Sequence, residues 1–466
     1  MNKYKKLLNN SAIFFVGNFG SKILSFLFVR FYTNCLSPSE YGTIDIITST
    51  LGFAIPIMTL CITEAVLRFS IDDYNDRGKI YAIGVTVVIL GNLLFLASIP
   101  IFYSIESYRN YLFYLYALTL TNSFYQMTAH FSRGCGDSKV FATSGVLHSF
   151  VQIGLNLLLL LFLKWGIKGY LIASILSNII TIIYIFIRGK AFCGLSLSFD
   201  KALFKRMVKY SAPLIPNSIF WWIMTSSDRY VILYFIGAGE NGLYTVANKL
   251  PNILTSISSI FFSAWQLSSV EEANSKDKSR FYSKTLQTVS MILLICISFL
   301  MVIIQWLFSF WVEASYYSAW ECAPLLILAA FFTCLSTYLG TNYVAMKKTT
   351  GVFLTTVIGA VLNLIMNIIL TPIIGIKGTA LATVVSMALT WIIRGIDTRK
   401  FVQIHYDLKT FIIPLILVCF QVAILTLGIT NIIIQISAFL LIVLICAKDF
   451  FAVVKYFLNM FRAKKK

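Results

Sequence analysis

Charge is what this sequence has least of. Only 12% of its 466 residues are Asp, Glu, Lys or Arg, against 58% hydrophobic, and mean hydropathy is +0.81. A soluble domain carries about a quarter of charged residues, so that class is excluded. Histidine is scarcer still: His130, His148 and His405 stand far apart, and the first two read as packing residues. The nine cysteines occur singly, without a CxxC pair or a Cys/His cluster, so no metal site, disulfide framework or cofactor is expected. Long polar stretches are missing too. No segment between apolar runs exceeds about 25 residues, which leaves no room for an inserted catalytic domain.

What remains is a series of apolar runs, each of about 17 to 25 residues, the length that spans a bilayer as a helix. Fourteen can be counted, predicting an all-α polytopic membrane protein. The first run is too long, and lacks the small-residue cleavage site, to be a removable signal peptide. Alternating outer-membrane-barrel patterning is absent.

The basic residues outnumber the acidic ones, 38 to 19, for a net charge of +19. Such a balance can signal nucleic acid, but here placement decides otherwise. With the N-terminus inside, 30 Lys/Arg fall in cytoplasmic segments, four in outer loops and four within spans. That asymmetry is the positive-inside rule. It predicts the cytoplasmic membrane with both termini inside, membrane lipid as surroundings and no nucleic-acid partner.

The chain also repeats itself. Gly166-Ile167-Lys168-Gly169 before the sixth span matches Gly375-Ile376-Lys377-Gly378 before the twelfth, and Tyr41-Gly42-Thr43 parallels Asn241-Gly242-Leu243 at an offset of 200. Six spans per half make a parallel repeat, with an axis along the membrane normal. The expected organisation is a six-helix lobe over 1–190, a cytoplasmic linker over 191–210, a second pseudo-symmetric lobe over 211–400, and an appended transmembrane hairpin with a basic tail over 401–466.

Polar residues inside the spans fall on faces. At 100° per residue, the second span (42–66) lines up Asp45, Thr48, Ser49, Gly52, Pro56, Thr59 and Thr63, with Glu64 outside the stripe near the cytoplasmic end. The eighth (242–268) lines up Tyr244, Asn248, Asn252, Thr255, Ser259 and Gln266, with Lys249 a little further round. Asn217, Trp221, Thr225 and Asp228 share a face of the seventh (211–236), with Arg229 adjacent, and the first (11–33) groups Asn18, Lys22, Ser25 and Thr33 with Arg30 at the edge. Each charge placed in a span costs roughly 2.5 to 3.5 kcal/mol and usually marks a water-filled path or substrate site. Lys22, Arg30, Arg229 and Lys249 exceed Asp45, Glu64 and Asp228 by one, so a hydrated, cationic cavity suited to a phosphate or diphosphate is expected. A structural salt bridge of Asp228 with Lys249 or Arg30 would leave a cation over.

The runs Pro213-Leu214-Ile215-Pro216, Ser226-Ser227-Asp228-Arg229-Tyr230, Asn248-Lys249-Leu250-Pro251 and Phe262-Ser263-Ala264-Trp265-Gln266, with Leu36-Ser37-Pro38-Ser39-Glu40-Tyr41-Gly42 upstream, resemble the polysaccharide-repeat-unit flippases. These belong to the multidrug/oligosaccharidyl-lipid/polysaccharide exporter superfamily. The resemblance implies a two-lobed bundle that moves undecaprenyl-diphosphate-linked oligosaccharide from the inner to the outer leaflet by alternating access, for capsule, O-antigen or exopolysaccharide assembly. It implies a non-enzyme whose partners are that lipid-linked substrate, the polysaccharide polymerase and other assembly proteins. Under it Arg30, Arg229, Lys249 and Lys22 meet the diphosphate, the Asn, Ser, Thr and Trp faces meet sugars, and Asp228, Glu64 or Asp45 serves any coupling. The alternatives are a cation-coupled multidrug exporter of the same superfamily and, from another class, a membrane glycosyltransferase or polymerase. The first would want a cavity dominated by carboxylates and aromatics, the second a large loop with clustered acids.

Overall fold

The computed structural model describes residues 26–72, 76–189, 192, 198–271, 277–346 and 348–463. Asn18, Lys22 and Ser25 lie outside the described residues. Within them the chain is helical, with no strand. Contacts divide it into two compact units, one of residues 1–233 and 237–242, the other of 234–236 and 243–466. The helix of the seventh span thereby falls in the same contact unit as those before it.

In the first unit, α1 (Val29–Cys35) leads into α2 (Pro38–Met58). The motif Ser37-Pro38-Ser39-Glu40 is a helix start: the Ser37 hydroxyl accepts from the Glu40 N–H, the Glu40 carboxylate accepts from the Ser37 N–H at 2.9 Å, and Pro38 takes the first position, where no N–H is needed. The second span does not continue to residue 66 as one helix. Pro56 has no N–H to give, and α2 stops at Met58; Leu60 and Cys61 turn through the left-handed region at φ 52°, and Cys61 N–H reaches back to the Pro56 carbonyl at 3.0 Å before α3 (Ile62–Asp72) begins. Then come α4 (Arg77–Phe95), α5 (Leu112–Gly134), α6 (Ser138–Asn156), α7 (Gly166–Arg188), α8 (Lys201–Ser211) and α9 (Ile215–Phe235).

The eighth span is also divided. A helix α10 (Ala238–Ala247) and a helix α11 (Lys249–Glu271) meet at Asn248, because Pro251 cannot bond to the carbonyl of Ala247 four residues back. The second unit continues with α12 (Lys278–Trp311), α13 (Ala323–Ala345) and α14 (Thr349–Asp397), the last broken at Ile374–Gly375, where Gly375 sits at φ 63°. That break separates the expected eleventh and twelfth spans. The C-terminal pair is α15 (Ile413–Thr426) and α16 (Ile432–Ala463). α16 is longer than a span needs and runs on into the part expected as the basic tail. Buried amides pin it to α15, and α15 to α12: Gln421 donates to the Gln435 carbonyl at 3.0 Å, and Ser298 donates to Gln421 at 2.7 Å.

Among the described residues, eight helices are long and apolar enough to cross a membrane by length and composition. α5, α9 and α11 match them in length but carry more polar side chains.

The second unit packs around Trp265, which is buried, stacks on Tyr338 with ring centroids 4.8 Å apart and donates to Thr341 at 3.0 Å. Tyr338 in turn donates to the Tyr282 carbonyl at 2.7 Å, and Tyr282 to the Ser269 carbonyl at 2.6 Å. The indole of the sequence motif around residue 265 is thus a core anchor. Arg394 is buried there as well, and neutral oxygens surround it: Thr355, Thr356 and the Ser336 carbonyl each accept at 2.9 Å. Such a buried cation holds three helical segments together through its planar fork of donors.

Candidate functional site

The two stretches singled out at an offset of 200 touch inside the first unit. Asn241 donates to the Gly42 carbonyl at 3.0 Å. The backbone of Gly42 lies against the Ala238 carbonyl, and that of Gly242 against the Pro38 carbonyl, so closely that neither position has room for a Cβ.

From this crossing α2 runs beside α9, and the seam is polar turn after turn. Arg229 Nε bonds Asp45 Oδ2 at 2.6 Å, and Arg229 Nη1 donates to the Thr225 carbonyl at 2.7 Å. Both side chains of the pair are only about one-seventh exposed (14% and 15%). Next along the seam, the Thr50 hydroxyl joins Tyr108 at 2.7 Å and Tyr230 at 2.8 Å. Trp222 donates to the Ser49 carbonyl at 2.9 Å, its ring against Phe53, and Gly52 leaves the space that ring occupies. Asp228 itself is buried. Arg229 pairs with Asp45 across 184 residues of chain, a partner that the faces of single helices do not reveal.

Beyond Asp45 the stripe of α2 opens into a cavity of about 520 Å³. Thr48, Gly52, Pro56 and Thr59 form one wall, Cys61, Thr63 and Glu64 continue it past the helix break, and Ser218 joins from α9. The opposite walls are carboxamides: Asn122 and Gln126 on α5, Gln152 on α6 and Asn178 on α7, with His148, Tyr170 and Ser174. They brace one another. His148 Nε2 pairs with Asn178 Oδ1 at 3.0 Å, Gln152 donates to Ser174 at 2.9 Å, Gln126 donates to Asn122 at 2.7 Å, and His148 stacks flat on Tyr125 at 5.0 Å. His148 therefore lines a cavity as well as packing. A signal for these walls exists in the sequence: 122/126, 148/152 and 174/178 are polar pairs four residues apart on three consecutive helices.

Of the other expected residues in this unit, Arg30 is exposed on α1, and Asn217, Trp221 and Thr225 are exposed on α9. In the second unit Tyr244 is buried, Lys249 and Asn248 are half-buried, and Asn252, Ser259 and Gln266 are exposed. No group of three or more His, Cys, Asp or Glu side chains that could hold a metal occurs among the described residues.

A family model described as polysaccharide biosynthesis protein matches residues 7–266, which include α1 to α10 and most of α11. The chain belongs to the polysaccharide biosynthesis protein family. No curated protein matches it. Among solved structures, this member of the family is similar to the lipid II flippase MurJ in an inward closed conformation, at 15% identity and a TM-score of 0.72, over 95% of this chain and 99% of that one. It is also similar to an inward-facing multidrug resistance MATE transporter of the MOP superfamily, at 15% identity and a TM-score of 0.67, over 83% of this chain and 94% of that one. A MOP superfamily transporter from Pyrococcus furiosus, described as having a binding pocket of reversed polarity, matches at 14% identity and a TM-score of 0.53, over 84% of this chain and 94% of that one. The polysaccharide biosynthesis protein family member described here thus has the fold shared by lipid flippases and drug exporters of that superfamily.

Proposed function

We propose that the protein flips undecaprenyl-diphosphate-linked oligosaccharide repeat units from the inner to the outer leaflet of the cytoplasmic membrane, by alternating access, in capsule, O-antigen or exopolysaccharide assembly. The observation that carries this reading is the junction on α2 of a half-buried guanidinium–carboxylate pair with a cavity walled by amides and hydroxyls. A lipid-linked sugar has the same two parts, an anionic diphosphate and a hydroxylated chain. Neither part can enter the bilayer core unaided, because dehydrating such groups without replacement hydrogen bonds costs several kcal/mol each. A protein groove that supplies those bonds lowers the barrier while the polyprenyl tail stays in lipid.

In this mechanism Arg229 is the principal diphosphate ligand, helped by Lys249, Arg30 and Lys22. Asp45 keeps the guanidinium oriented until the diphosphate shares it, since Arg suits bidentate oxygen pairs. Asp45, Glu64 and Asp228 are the span carboxylates through which transport would couple to an ion. The family description supports a role in polysaccharide synthesis, and the shared fold supports transport of a lipid-linked substrate. A drug exporter shares the fold, and Glu64 alone would suit a cation, but the carboxamides and hydroxyls that make up most of the polar wall of the cavity favour a hydroxylated substrate.

The test is complementation of a flippase-deficient strain. Arg229→Ala combined with Lys249→Ala should abolish polymer output while the protein still inserts; normal output from that double variant would sink the assignment.

A further inference from the structure

We propose that the cavity of the first unit is a subsite for an uncharged, acetamido- or hydroxyl-bearing sugar, and that Glu64 makes it reject acidic sugars. This rests on the function proposed above and adds to it a chemical class of substrate and the residues that select it.

Chemistry of the walls carries the first half. Carboxamides both donate and accept, which matches sugar hydroxyls and N-acetyl groups, and Asn122, Gln126, Gln152 and Asn178 present four of them to one space. After the bonds among themselves, Asn122 Nδ2, Gln126 Oε1 and Gln152 Oε1 take no partner from the described residues. Those atoms are the ones a sugar would engage. Because each amide is already braced by a neighbour, the site is preformed and little side-chain freedom is lost on binding. The volume of about 520 Å³ falls within the roughly 300–1,000 Å³ of small-molecule sites.

Charge carries the second half. No Lys or Arg lines the cavity, whereas Glu64 does. A uronate carboxylate brought here would meet a like charge and no cation to neutralise it, a combination that discriminates by repulsion. An uncharged ring meets no such penalty.

Position connects the cavity to the ion pair. Along α2, Thr48 lies one turn, about 4.5 Å, beyond Asp45, and Gly52 and Pro56 follow at one-turn intervals. A diphosphate held at Arg229 therefore leaves its first sugars at the cavity mouth.

The experiment uses the full-length protein in nanodiscs and three short-chain polyprenyl diphosphates: one without sugar, one carrying an N-acetylhexosamine and one carrying a hexuronic acid. The readout is the ratio of affinities between sugar-bearing and sugar-free carriers. For the native protein we expect the N-acetylhexosamine to raise affinity at least tenfold and the hexuronate to raise it not at all. Gln152→Leu with Asn178→Leu should bring the first ratio near one, and Glu64→Gln, at an exposed position that leaves the fold intact, should bring the hexuronate ratio up toward that of the N-acetylhexosamine. Equal affinities for the two sugar carriers in the native protein would overturn the inference. So would an undiminished N-acetylhexosamine ratio in a folded double variant, or a hexuronate ratio unmoved by Glu64→Gln. If none of the three carriers binds, the flippase reading itself falls, and this inference with it; binding of the sugar-free carrier with no sugar increment overturns only the inference.

Discussion

Gly42 and Gly242 exchange the same contact: each packs its bare Cα against a carbonyl four residues before the other, Gly42 against Ala238 and Gly242 against Pro38. Two stretches 200 residues apart in one chain meet as identical patches meet across a two-fold axis, each giving what it receives.

That crossing sets the first prediction. A methyl at either glycine would overlap a backbone carbonyl, which cannot rotate away as a side chain can. Gly42→Ala or Gly242→Ala should lower stability by about 1–3 kcal/mol, the usual cost of overpacking, with a fall in melting temperature in detergent. Gly145 is the control. It lies inside α6 with open space where a Cβ would go, so Gly145→Ala should be neutral or stabilise by about 0.5–1 kcal/mol.

Removing one member of the Asp45–Arg229 pair strands the other in a half-buried site. Hydrogen bonds to charged groups contribute about 1.5–3 kcal/mol, so Arg229→Ala and Asp45→Ala should each destabilise by that order. The reciprocal swap, Asp45→Arg with Arg229→Asp, should recover much of the melting temperature yet leave transport absent, because the diphosphate ligand has moved to the other helix. Full transport by the swapped protein would show that the pair is only structural.

Leu60 stands at φ 52° without being glycine. A left-handed residue with a side chain costs roughly 1–2 kcal/mol, so Leu60→Gly should relieve about 1 kcal/mol of local strain, partly offset by the greater freedom of glycine in the unfolded chain. Thermal unfolding in detergent would read a small rise. A marked fall would mean that the Leu60 side chain contributes more through its contacts than its backbone costs.

In the second unit, Arg394→Leu would leave the Ser336 carbonyl and the hydroxyls of Thr355 and Thr356 without their donor. Each buried polar group left unsatisfied costs about 1–3 kcal/mol, and a loss of about 3 kcal/mol or more is expected for the group. Arg394→Lys should recover only part of it, since an ammonium cannot reach the same acceptors as a planar fork. Protein yield and melting temperature after purification check both.

How far the sequence led depends on which residues carried a periodic signal. Asp45, Thr48, Gly52, Pro56 and Thr59 repeat at helical spacing among apolar neighbours, so their common face could be read directly; Thr48, Gly52, Pro56 and Thr59 line one cavity wall, and Asp45 pairs with Arg229 beyond it. Asn122, Gln126, Gln152 and Asn178 repeat as well, but each pair is short and sits among other Thr and Ser residues, which blurs a face into general polarity. The partner of Arg229 was not legible at all. It is fixed by the packing of α2 on α9, and a charge in one span has several candidate partners until that packing is known. The break at Leu60–Cys61 was hidden for another reason: neither residue favours the left-handed turn, and Pro56 alone fits a kink as well as a stop.

The central claim is tested most directly by reconstituting the purified protein in vesicles that carry a labelled undecaprenyl-diphosphate oligosaccharide, and following how much label becomes accessible to a membrane-impermeant reagent from the opposite leaflet. The native protein should raise the rate well above protein-free vesicles, and Arg229→Ala with Lys249→Ala should return it to that background. A native protein no faster than empty vesicles, or a double variant as fast as the native, would contradict it.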